Sequence, residues 1–355
     1  MITIGVDAHK RMHAATALDE AGRMLGHWQG ANSPEGWAAL RAWGEARSAA
    51  APRQWGIEGA GNYGRGLAQA LLTAGETVYD INPRWTALTR RQSRKAGKSD
   101  RLDAQAVALY LWREAAQLPP LAPEDETVIL DLLRQEREAA LAEATRLRNQ
   151  LHALLLQVDP QYKEHLPALT SAAGIAALRT YTAPVMGDLP AQRAATVRRL
   201  AARLQLATEQ AAEVQAQLEA RAQAGFSPLR ELKGVGRLQA GVLAGLLGAG
   251  QRFASEAQLA AYAGAAPLEA SSAGHMRHRL NRGGNRQLNK VLHQIALTQA
   301  RCYPPAKAYV ARRQQEGKTS KEALRALKRY IVRAIWHLWQ RCLALRQPSA
   351  AMAAA

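Results

Sequence analysis

The sequence predicts an α/β domain over residues 1–117, an α-helical coiled-coil connector over 118–225, a basic helical domain over 226–345 and a flexible tail at 346–355. Two patterns predict this order. Short β-branched runs alternate with amphipathic segments at the start, and apolar residues then recur every three or four positions. Composition agrees, because hydrophobic residues make up 48% of the chain and aromatic residues only 5%. This balance favours helices that pack through small side chains over an aromatic-rich β-sandwich.

Strands and helices alternate in the N-terminal segment. The predicted elements are strands at 2–6, 13–18 and 24–28, a helix from Ser33-Pro34, a strand at 54–57, a helix from about Tyr63, and a strand at 77–79. The serine is a favoured N-cap residue, and proline suits the first helical position. A meander of three strands followed by strand–helix alternation is the order of a ribonuclease-H-like α/β domain.

The connector carries two runs of residues at heptad-like spacing. The first run is Ile129, Leu133, Glu136, Ala140, Ala144, Leu147, Leu151, Leu154 and Val158. The second run is Val197, Leu200, Leu204, Ala207, Ala211, Val214 and Leu218. The Pro-containing stretch 159–190 separates them, so they predict a long antiparallel hairpin or an intersubunit coiled coil. Two amphipathic helices of an ordinary bundle would give the same pattern.

Basic residues outnumber acidic residues and are concentrated in the last third of the chain. Lys and Arg number 47 against 29 Asp and Glu, which gives a net charge of +18 and a pI of about 10.5. Residues 225–345 alone hold 20 Lys or Arg and 5 Asp or Glu. A polyanionic partner is therefore expected. Nucleic acid is favoured over a membrane, because no segment approaches the ~20 apolar residues of a spanning helix.

Cysteine usage and the N-terminal sequence exclude other classes of protein. Cys302 and Cys342 are the only cysteines and form no Cys-x-x-Cys pair, which argues against a structural zinc site or a disulfide framework. The segment Met1–Asp7 has no basic region followed by a long apolar stretch, so we expect no secretory signal. A cytoplasmic protein without a membrane partner is the expectation.

Four acidic residues lie at the ends of predicted elements in the N-terminal segment. Asp7 follows the first predicted strand, Glu58 follows the fourth, and Asp100 and Asp103 open a helix. Open α/β sheets place ligands at strand ends, and a spacing of three puts both helical carboxylates on one face. Carboxylate oxygens suit Mg²⁺, with Mn²⁺ as the alternative ion. Four carboxylates could hold two ions ~4 Å apart for phosphoryl transfer.

Each of these carboxylates also has a structural alternative. An aspartate after a strand is often a turn or cap residue, and acidic residues are favoured in the first turn of a helix. Actin-like ATPases and sugar kinases also begin with a strand that ends in aspartate. They need a Gly-rich phosphate turn, which Ala8-His9-Lys10 does not offer. The set of four is a stronger indication than any single member.

Two motifs in the basic segment suit phosphate groups. Leu232–Gly236 has the form of a helix-hairpin-helix turn, in which Gly234 and Gly236 would let backbone N–H groups approach a phosphate. A simple Gly-rich helix connection is the alternative. Ser271 and Ser272 precede several arginines, an arrangement that suits a nucleophile beside a phosphate clamp. By composition alone, this second stretch could equally be a linker.

A further basic stretch leads into the acidic helix and suits backbone phosphates, with Trp85 available to stack on a base. The candidate nucleic-acid contacts are Arg84, Arg90, Arg91, Arg94, Lys95, Lys98, Lys233, Gly234, Gly236, Arg277, Arg279, Arg282 and Arg286. A solvated helix face is the alternative for the first six. These residues do not distinguish RNA from DNA.

Four motifs resemble, in order and spacing, those of the DEDD transposases of the IS110 family of insertion sequences, to which the Piv-type DNA invertases are related. The motifs are GVDAHK at 5–10, IEGAGN at 57–62, Asn82-Pro83, and KSDRLDA at 98–104. The resemblance implies a RuvC-like N-terminal domain. It places the metal-binding acidic residues of that domain at Asp7, Glu58, Asp100 and Asp103.

The resemblance extends to about 230–345, which looks like the C-terminal transposase domain of this family. It implies that a serine attacks DNA and forms a covalent phosphoserine. Counting five residues from Pro267 gives Ser272 as the expected nucleophile. Ser271 is the alternative, because Ala273 stands where many relatives have glycine. The resemblance further implies a structured guide RNA that bridges donor and target DNA, and a tetramer; the heptads and the pairing of two DNA partners favour at least a dimer.

The sequence therefore predicts an insertion-sequence transposase or site-specific recombinase that uses Mg²⁺ and a serine nucleophile. The first alternative is a RuvC-like structure-specific nuclease, such as a junction resolvase, that activates water and needs no serine. The second alternative is a nucleic-acid-binding protein whose acidic cluster is inert. A variant lacking the serine hydroxyl separates the first two, and the absence of any metal-dependent cleavage would indicate the third.

Overall fold

A computed structural model of the chain describes residues 1–49, 51–92, 99–250, 252–269, 278–279, 281 and 283–346, with side chains left out at 88–92 and 278. These residues form two compact units. The N-terminal unit comprises Met1–Asp125 and Ala249–Gln258, and the helical unit comprises Glu126–Gly248 and the chain from Leu259 onward. No helix among the described residues is both long enough and apolar enough to cross a membrane.

A five-stranded mixed sheet forms the centre of the N-terminal unit. Its strands are β1 (Ile2–Ala8), β2 (Met12–Leu18), β3 (Met24–Ala31), β4 (Arg53–Glu58) and β5 (Thr77–Ile81). The order across the sheet is β3-β2-β1-β4-β5, with the first three strands antiparallel and β4 and β5 parallel to β1. The predicted ribonuclease-H-like α/β order is confirmed. The strands are longer than predicted, so that Asp7 and Glu58 lie within β1 and β4 rather than after them.

Four helices of the N-terminal unit follow the sheet strands. They are α1 (Pro34–Ser48), α2 (Arg65–Thr73), α3 (Pro83–Gln92) and α4 (Asp100–Glu114). The predicted start of α1 is confirmed, because the Ser33 side chain accepts a hydrogen bond from the Gly36 N–H at 3.3 Å. Helix α4 packs on β1, β2 and β4. It is this helix that brings the acidic motif to the sheet.

An ion pair is buried at the edge of this unit, between the start of β4 and the residue before β5. Arg53 Nε donates to Glu76 Oε1 at 3.1 Å, and Trp55 Nε1 donates to Glu76 Oε2 at 2.9 Å. The Glu76 side chain is only 5% exposed. Both oxygens of this buried carboxylate therefore have donors, as a charge in a low-dielectric environment requires.

Two long helices dominate the other unit. They are α5 (Glu126–Val158) and α8 (Asp188–Gly225), joined through the short helices α6 (Tyr162–His165) and α7 (Ala172–Arg179). Their side-chain contacts show that the two long helices run antiparallel. Hydrogen bonds join Glu126 to Arg221, Arg137 to Gln215, and Glu143 to Arg203. The predicted helical hairpin is confirmed, and an intersubunit coiled coil remains a prediction.

The predicted heptad register is wrong in the first turns of α5. Ile129 is 38% exposed, whereas Leu130 is fully buried. The reason is a third helix, α9 (Arg237–Leu247), that packs against both long helices at this end. A Cβ added at Gly245 would lie 2.8 Å from the Asp131 backbone nitrogen, so α9 sits directly on the α5 backbone. From Ala144 onward the predicted positions are largely correct, as in the second run.

The remaining α-helices are α10 (Glu256–Tyr262), whose residues up to Gln258 belong to the N-terminal unit, and three helices of the helical unit. These three are α11 (Arg286–Cys302), α12 (Pro304–Gln315) and α13 (Ser320–Arg346). A two-stranded hairpin, β6 (Leu268–Glu269) with β7 (His278–Arg279), stands between α10 and α11. The rings of Phe226 and Trp339 stack at 5.8 Å and anchor α13 to the end of α8. Beyond Arg346, the predicted tail lies outside the described residues.

Candidate metal centre and nucleic-acid interface

Two adjacent strands present their acidic residues side by side. In the parallel pairing of β1 with β4, Asp7 stands opposite Glu58, and Gly5 stands opposite Gly56. Side chains alternate between the faces of a strand, so each glycine shares the face of the acid two residues later. One face of the sheet therefore carries two glycines followed by two carboxylates.

The glycines let helix α4 lie directly on this face. A Cβ added at Gly5 would lie 2.1 Å from the Ala108 nitrogen and 2.7 Å from the Ala104 oxygen, which are backbone atoms of α4. Any side chain at this position would push the helix off the sheet. Since Asp103 immediately precedes Ala104, the close approach brings Asp103 to the strand that carries Asp7.

Helix α4 begins with the acidic motif that the sequence predicted. The Ser99 side chain accepts a hydrogen bond from the Leu102 N–H at 3.3 Å, and its carbonyl oxygen accepts one from the Asp103 N–H at 3.0 Å. Both aspartates of the motif lie in the first turn, where the helix dipole favours negative charge. Asp103 is buried and Asp100 is exposed.

His9 joins the two ends of this acidic cluster. Its Nε2 lies 3.0 Å from Asp7 Oδ2 and 3.7 Å from Asp100 Oδ1. Burial raises the pKa of Asp7 from 3.8 to about 6, and His9 opposes this rise. The negative charges of Asp103 and Glu58 raise the pKa further. The charges of His9, Asp103 and Glu58 therefore all act on the Asp7 carboxylate.

Glu58 is oriented by a buried threonine. The Thr86 hydroxyl donates to Glu58 Oε2 at 2.7 Å and lies 2.9 Å from the Pro83 carbonyl oxygen. Trp85, the neighbouring residue of α3, is 46% exposed, and its ring is parallel to that of Tyr110 at 6.3 Å. Stacking of Trp85 on a nucleic-acid base stays a prediction.

The cluster has the chemistry of a site for a hard divalent cation. Ligand atoms of Asp7, His9 and Asp100 lie within 4.8 Å of one another. Glu58 and Asp103 act electrostatically on Asp7 from the neighbouring strand and from α4. A buried carboxylate whose pKa is raised by like charges is stabilised by a divalent cation. The residues present therefore fit a divalent cation, and Mg²⁺ or Mn²⁺ stays the prediction.

Sequence reasoning did not identify two residues of this site, His9 and Thr86. One signal was nonetheless available, because glycine stands two positions before the acid in both strands, as Gly-x-Asp and Gly-x-Glu. That repeat is expected where a helix must approach two neighbouring strands closely.

The predicted glycine turn precedes a helix, as its sequence requires. Gly234 has φ +92°, a conformation that side chains rarely adopt, and Gly236 is the N-cap of α9. The Lys233 carbonyl accepts a hydrogen bond from Gln299 Nε2 at 2.8 Å, which fixes the turn on α11. Among the described residues, apart from its chain neighbours, no atom would lie within 4 Å of a Cβ added at Gly236, so the backbone there has room for a ligand. A phosphate contact at this turn stays a prediction.

Three asparagines at four-residue intervals clasp the segment that leads to the β6–β7 hairpin. Asn281 Nδ2 donates to the Ala261 carbonyl at 3.2 Å, and Asn285 Nδ2 lies 2.8 Å from the Tyr262 hydroxyl. Asn289 Nδ2 donates to the Ala263 carbonyl at 2.8 Å. The chain before β6 and the chain after β7 are thus tied together. Ser271 and Ser272, in the segment between β6 and β7, lie outside the described residues.

The predicted nucleic-acid contacts divide into two groups. Arg84, Lys233, Arg279 and Arg286 have exposed side chains, and the backbones of Arg90 and Arg91 lie in α3. The other predicted cationic contacts lie outside the described residues: Arg94, Lys95, Lys98, Arg277 and Arg282.

Comparison with known proteins gives consistent matches along the chain. Residues 4–160 match the family model of DEDD transposases of the IS110 type, and residues 227–311 match the transposase family IS116/IS110/IS902. An IS110 insertion-element protein of 43.6 kDa from Streptomyces coelicolor is 31% identical over 67% of this chain and 70% of its own length. The transposase for insertion sequence element IS1328 from Yersinia enterocolitica is 26% identical over 65% of this chain and 66% of its own.

A likeness to solved structures was also found. Thermus thermophilus RuvC, solved in complex with a Holliday junction substrate, is 18% identical, with a TM-score of 0.28 over 34% of this chain and 99% of that protein. Independently of this likeness, the strand order of the N-terminal unit is the ribonuclease-H-like order that the sequence predicts. By its sequence matches in both parts, the chain belongs to the IS110 family of transposases.

Proposed function

We propose that this chain cuts and rejoins DNA by phosphoryl transfer, with a divalent cation held by Asp7, Glu58, Asp100 and Asp103. The observation that carries the proposal is the convergence of three elements on one face of the sheet. Strands β1 and β4 supply adjacent carboxylates, and α4 lies on the paired glycines and supplies the others. Acids far apart in the sequence meet here, as a cation site for phosphate chemistry requires.

Each residue of the cluster has a distinct part in this proposal. The buried Asp7 and Asp103 provide fixed negative charge, while Asp100 lies on the solvent-exposed side of the cluster. Thr86 orients the Glu58 carboxylate by its hydrogen bond, and His9 holds the Asp7 carboxylate. Such outer contacts set the position of ligating groups. The cation would supply positive charge against the charge that develops on the phosphate oxygens.

The nucleophile in this proposal is Ser272, with Ser271 as the alternative. The serine hydroxyl oxygen attacks the phosphorus of a DNA phosphodiester and its proton passes to a base. The bond from phosphorus to one sugar oxygen breaks, and that oxygen takes up a proton and leaves as a hydroxyl. The product is a phosphoserine ester, and attack by a DNA hydroxyl on that ester restores the serine and joins the new strand. Support comes from the asparagine clasp, which ties together the two ends of the loop that carries both serines.

The partners in this proposal are donor DNA, target DNA and a guide RNA that bridges them. The net charge of +18 and its concentration in the last third of the chain support polyanionic partners. Pairing of two DNA partners also requires more than one copy of the chain, as a dimer or a tetramer. The proposed location is the cytoplasm.

Covalent trapping tests the proposal. The full chain, DNA carrying the ends of its element and the co-encoded RNA are incubated with Mg²⁺, denatured and separated on a gel. We expect a protein–DNA adduct that is absent in Ser272→Ala and in Asp7→Ala and is retained in Ser320→Ala, a serine of α13. If the adduct is lost in Ser271→Ala and retained in Ser272→Ala, the nucleophile is Ser271. Free cleaved DNA without any adduct would mean that the chain activates water, as a junction-resolving nuclease does.

A further inference from the structure

The helical unit contains an open cavity of about 780 Å³ beside the β6–β7 hairpin. Seven lysine or arginine side chains line it, and Glu322 is the single acid among the described residues of its wall. The cations come from β7, α12, the turn between α12 and α13, and α13, so no single helix face accounts for them. Pro267 and Arg279, one on each side of the hairpin loop, belong to the same wall.

Lys328 is the buried cation of this cavity. The residue is only 8% exposed, and its Nζ donates to Asn289 Oδ1 at 2.9 Å. Among the described residues no carboxylate lies within ion-pair distance of this ammonium group. Burial lowers the pKa of Lys328, and the charge of Arg325 lowers it further. An ammonium group with a neutral partner, in a wall of other cations, is stabilised when an anion enters.

The lysine is held in one position by its amide partner. Asn289 Nδ2 donates to the Ala263 carbonyl at 2.8 Å, which fixes the orientation of the amide and directs its oxygen at Lys328. Ala263 itself is fully buried. The ammonium group is therefore preorganised, and binding an anion costs little further ordering of this side chain.

Glu322, the acid of the described wall, contacts Arg325 and the turn before α13, and no contact joins it to Lys328. Its Oε1 lies 3.9 Å from Arg325 Nη2. Both the backbone N–H and the hydroxyl of Thr319 donate to Glu322 Oε2, at 2.9 Å and 2.8 Å. These bonds make Glu322 part of the turn that begins α13, and they lower its pKa. Glu322 therefore does not neutralise Lys328, and the cavity retains an excess of positive charge.

We propose that this cavity binds a phosphodiester group of a nucleic-acid strand, with Lys328 as its fixed ammonium group. Arginine side chains of the wall suit two oxygens of one phosphate, and a buried lysine suits one as a point charge. The position fits this ligand, because Pro267 and Arg279 connect the cavity wall to the loop that carries the candidate serines. The inference rests on the proposed function, since it assigns the group that places DNA beside that loop.

Fluorine NMR of the full chain labelled with 3-fluorotyrosine tests binding directly. Tyr309 and Tyr330 line the cavity with ring centroids 5.1 Å apart, and the variants Tyr309→Phe and Tyr330→Phe assign their signals. The probes are a DNA 12-mer with hydroxyl ends and, separately, inorganic phosphate. We expect the 12-mer to shift both signals, and we expect about tenfold weaker binding in Lys328→Met. Lys321→Met, an exposed lysine of the same helix, should leave the titration unchanged.

A second variant guards against an altered fold in Lys328→Met. Ala326→Glu keeps the lysine but adds a carboxylate to the same wall, and it should weaken binding similarly. Tyrosine signals that do not respond, or that respond equally in Lys328→Met, would overturn the inference. Signals that shift with inorganic phosphate but not with the 12-mer would indicate a site for the free ion. That result would also overturn the inference. If the 12-mer binds as expected and no adduct forms in covalent trapping, the inference about the cavity is supported and the serine mechanism is contradicted.

Discussion

Replacing Asp7 by asparagine should stabilise the N-terminal unit in the absence of divalent cations. The Asp7 residue is 6% exposed, and its pKa is raised from 3.8 to about 6, chiefly by burial. The folded state therefore binds this proton more tightly than the unfolded state. At ~1.4 kcal/mol per pKa unit, keeping the carboxylate ionised in the fold costs about 3 kcal/mol.

The sign of the pH dependence follows from this raised pKa. Below pH 3.8 the carboxyl is protonated in both states and the cost is absent, whereas above pH 6 the cost is complete. The gain from Asp7→Asn should therefore be about 3 kcal/mol at pH 7.5 and about 1 kcal/mol at pH 4.5. Added Mg²⁺ should stabilise the wild-type chain more than the variant, because a ligand stabilises the state that binds it.

The assay is urea-induced unfolding of the full chain, monitored by hydrogen–deuterium exchange. Peptides from β1 and β4 report on the N-terminal unit. Asp100→Asn serves as the matched control, since Asp100 is an exposed carboxylate of the same cluster. Its effect should stay within about 0.5 kcal/mol. Equal stability of wild type and Asp7→Asn at pH 7.5 would refute the reasoning. If Asp7→Asn gained the same stability at pH 7.5 and pH 4.5, the gain would come from packing and not from charge.

Three further substitutions test the supports of the site and the stability of the N-terminal unit. Gly5→Ala should destabilise the N-terminal unit by about 3 kcal/mol and weaken Mg²⁺ binding, because the added carbon would lie 2.1 Å from the backbone of α4. Gly61→Ala should do neither, because no atom of the described residues beyond its chain neighbours lies within 4 Å of the added carbon. Thr86→Val should raise the Mg²⁺ concentration needed for adduct formation by about tenfold, since Glu58 loses its orienting hydroxyl. Arg53→Met should cost about 3–5 kcal/mol in urea unfolding, because it leaves a buried glutamate without its cation.

Controls separate these effects from general damage to the fold. Thr86→Ser keeps the hydroxyl and should behave as the wild type, and excess Mg²⁺ should restore the activity of Thr86→Val. Neutralising both members of the buried pair, in Arg53→Met with Glu76→Gln, should recover part of the lost stability. A valine variant that excess Mg²⁺ cannot rescue, or a double variant no better than the single one, would contradict the assigned roles.

Local patterns were sufficient to predict the N-terminal fold. Alternation of strands and helices, the Ser33 cap and the acidic start of α4 depend on neighbouring residues, and all are present. Strand ends were placed early, because polar Asp7 and Glu58 interrupt apolar runs although backbone pairing continues through them. Pairing depends on the partner strand and not on the polarity of the side chain.

Features that depend on a third element could not be read from the sequence. The buried face of α5 is shifted near Leu130 because α9 packs there, and no spacing within α5 encodes that neighbour. His9 reaches the acidic cluster from the β1–β2 turn, whose geometry is fixed by its N–H bond to the Met12 carbonyl at 3.1 Å. Asn289 and Lys328 are 39 positions apart and meet only through the packing of α11 on α13.

The contact between α4 and Gly5 also bears on how this chain tolerates mutation. The spacing between helix and strand is set there by backbone atoms, which are the same in every sequence. Core side chains such as Ile4 and Leu40 lie in the hydrophobic cluster away from that contact. We expect substitutions at such core positions to change stability without moving the acidic residues. Mutational drift in the core is thereby separated from the geometry of the metal centre, and the constraint falls on one residue that must have no side chain.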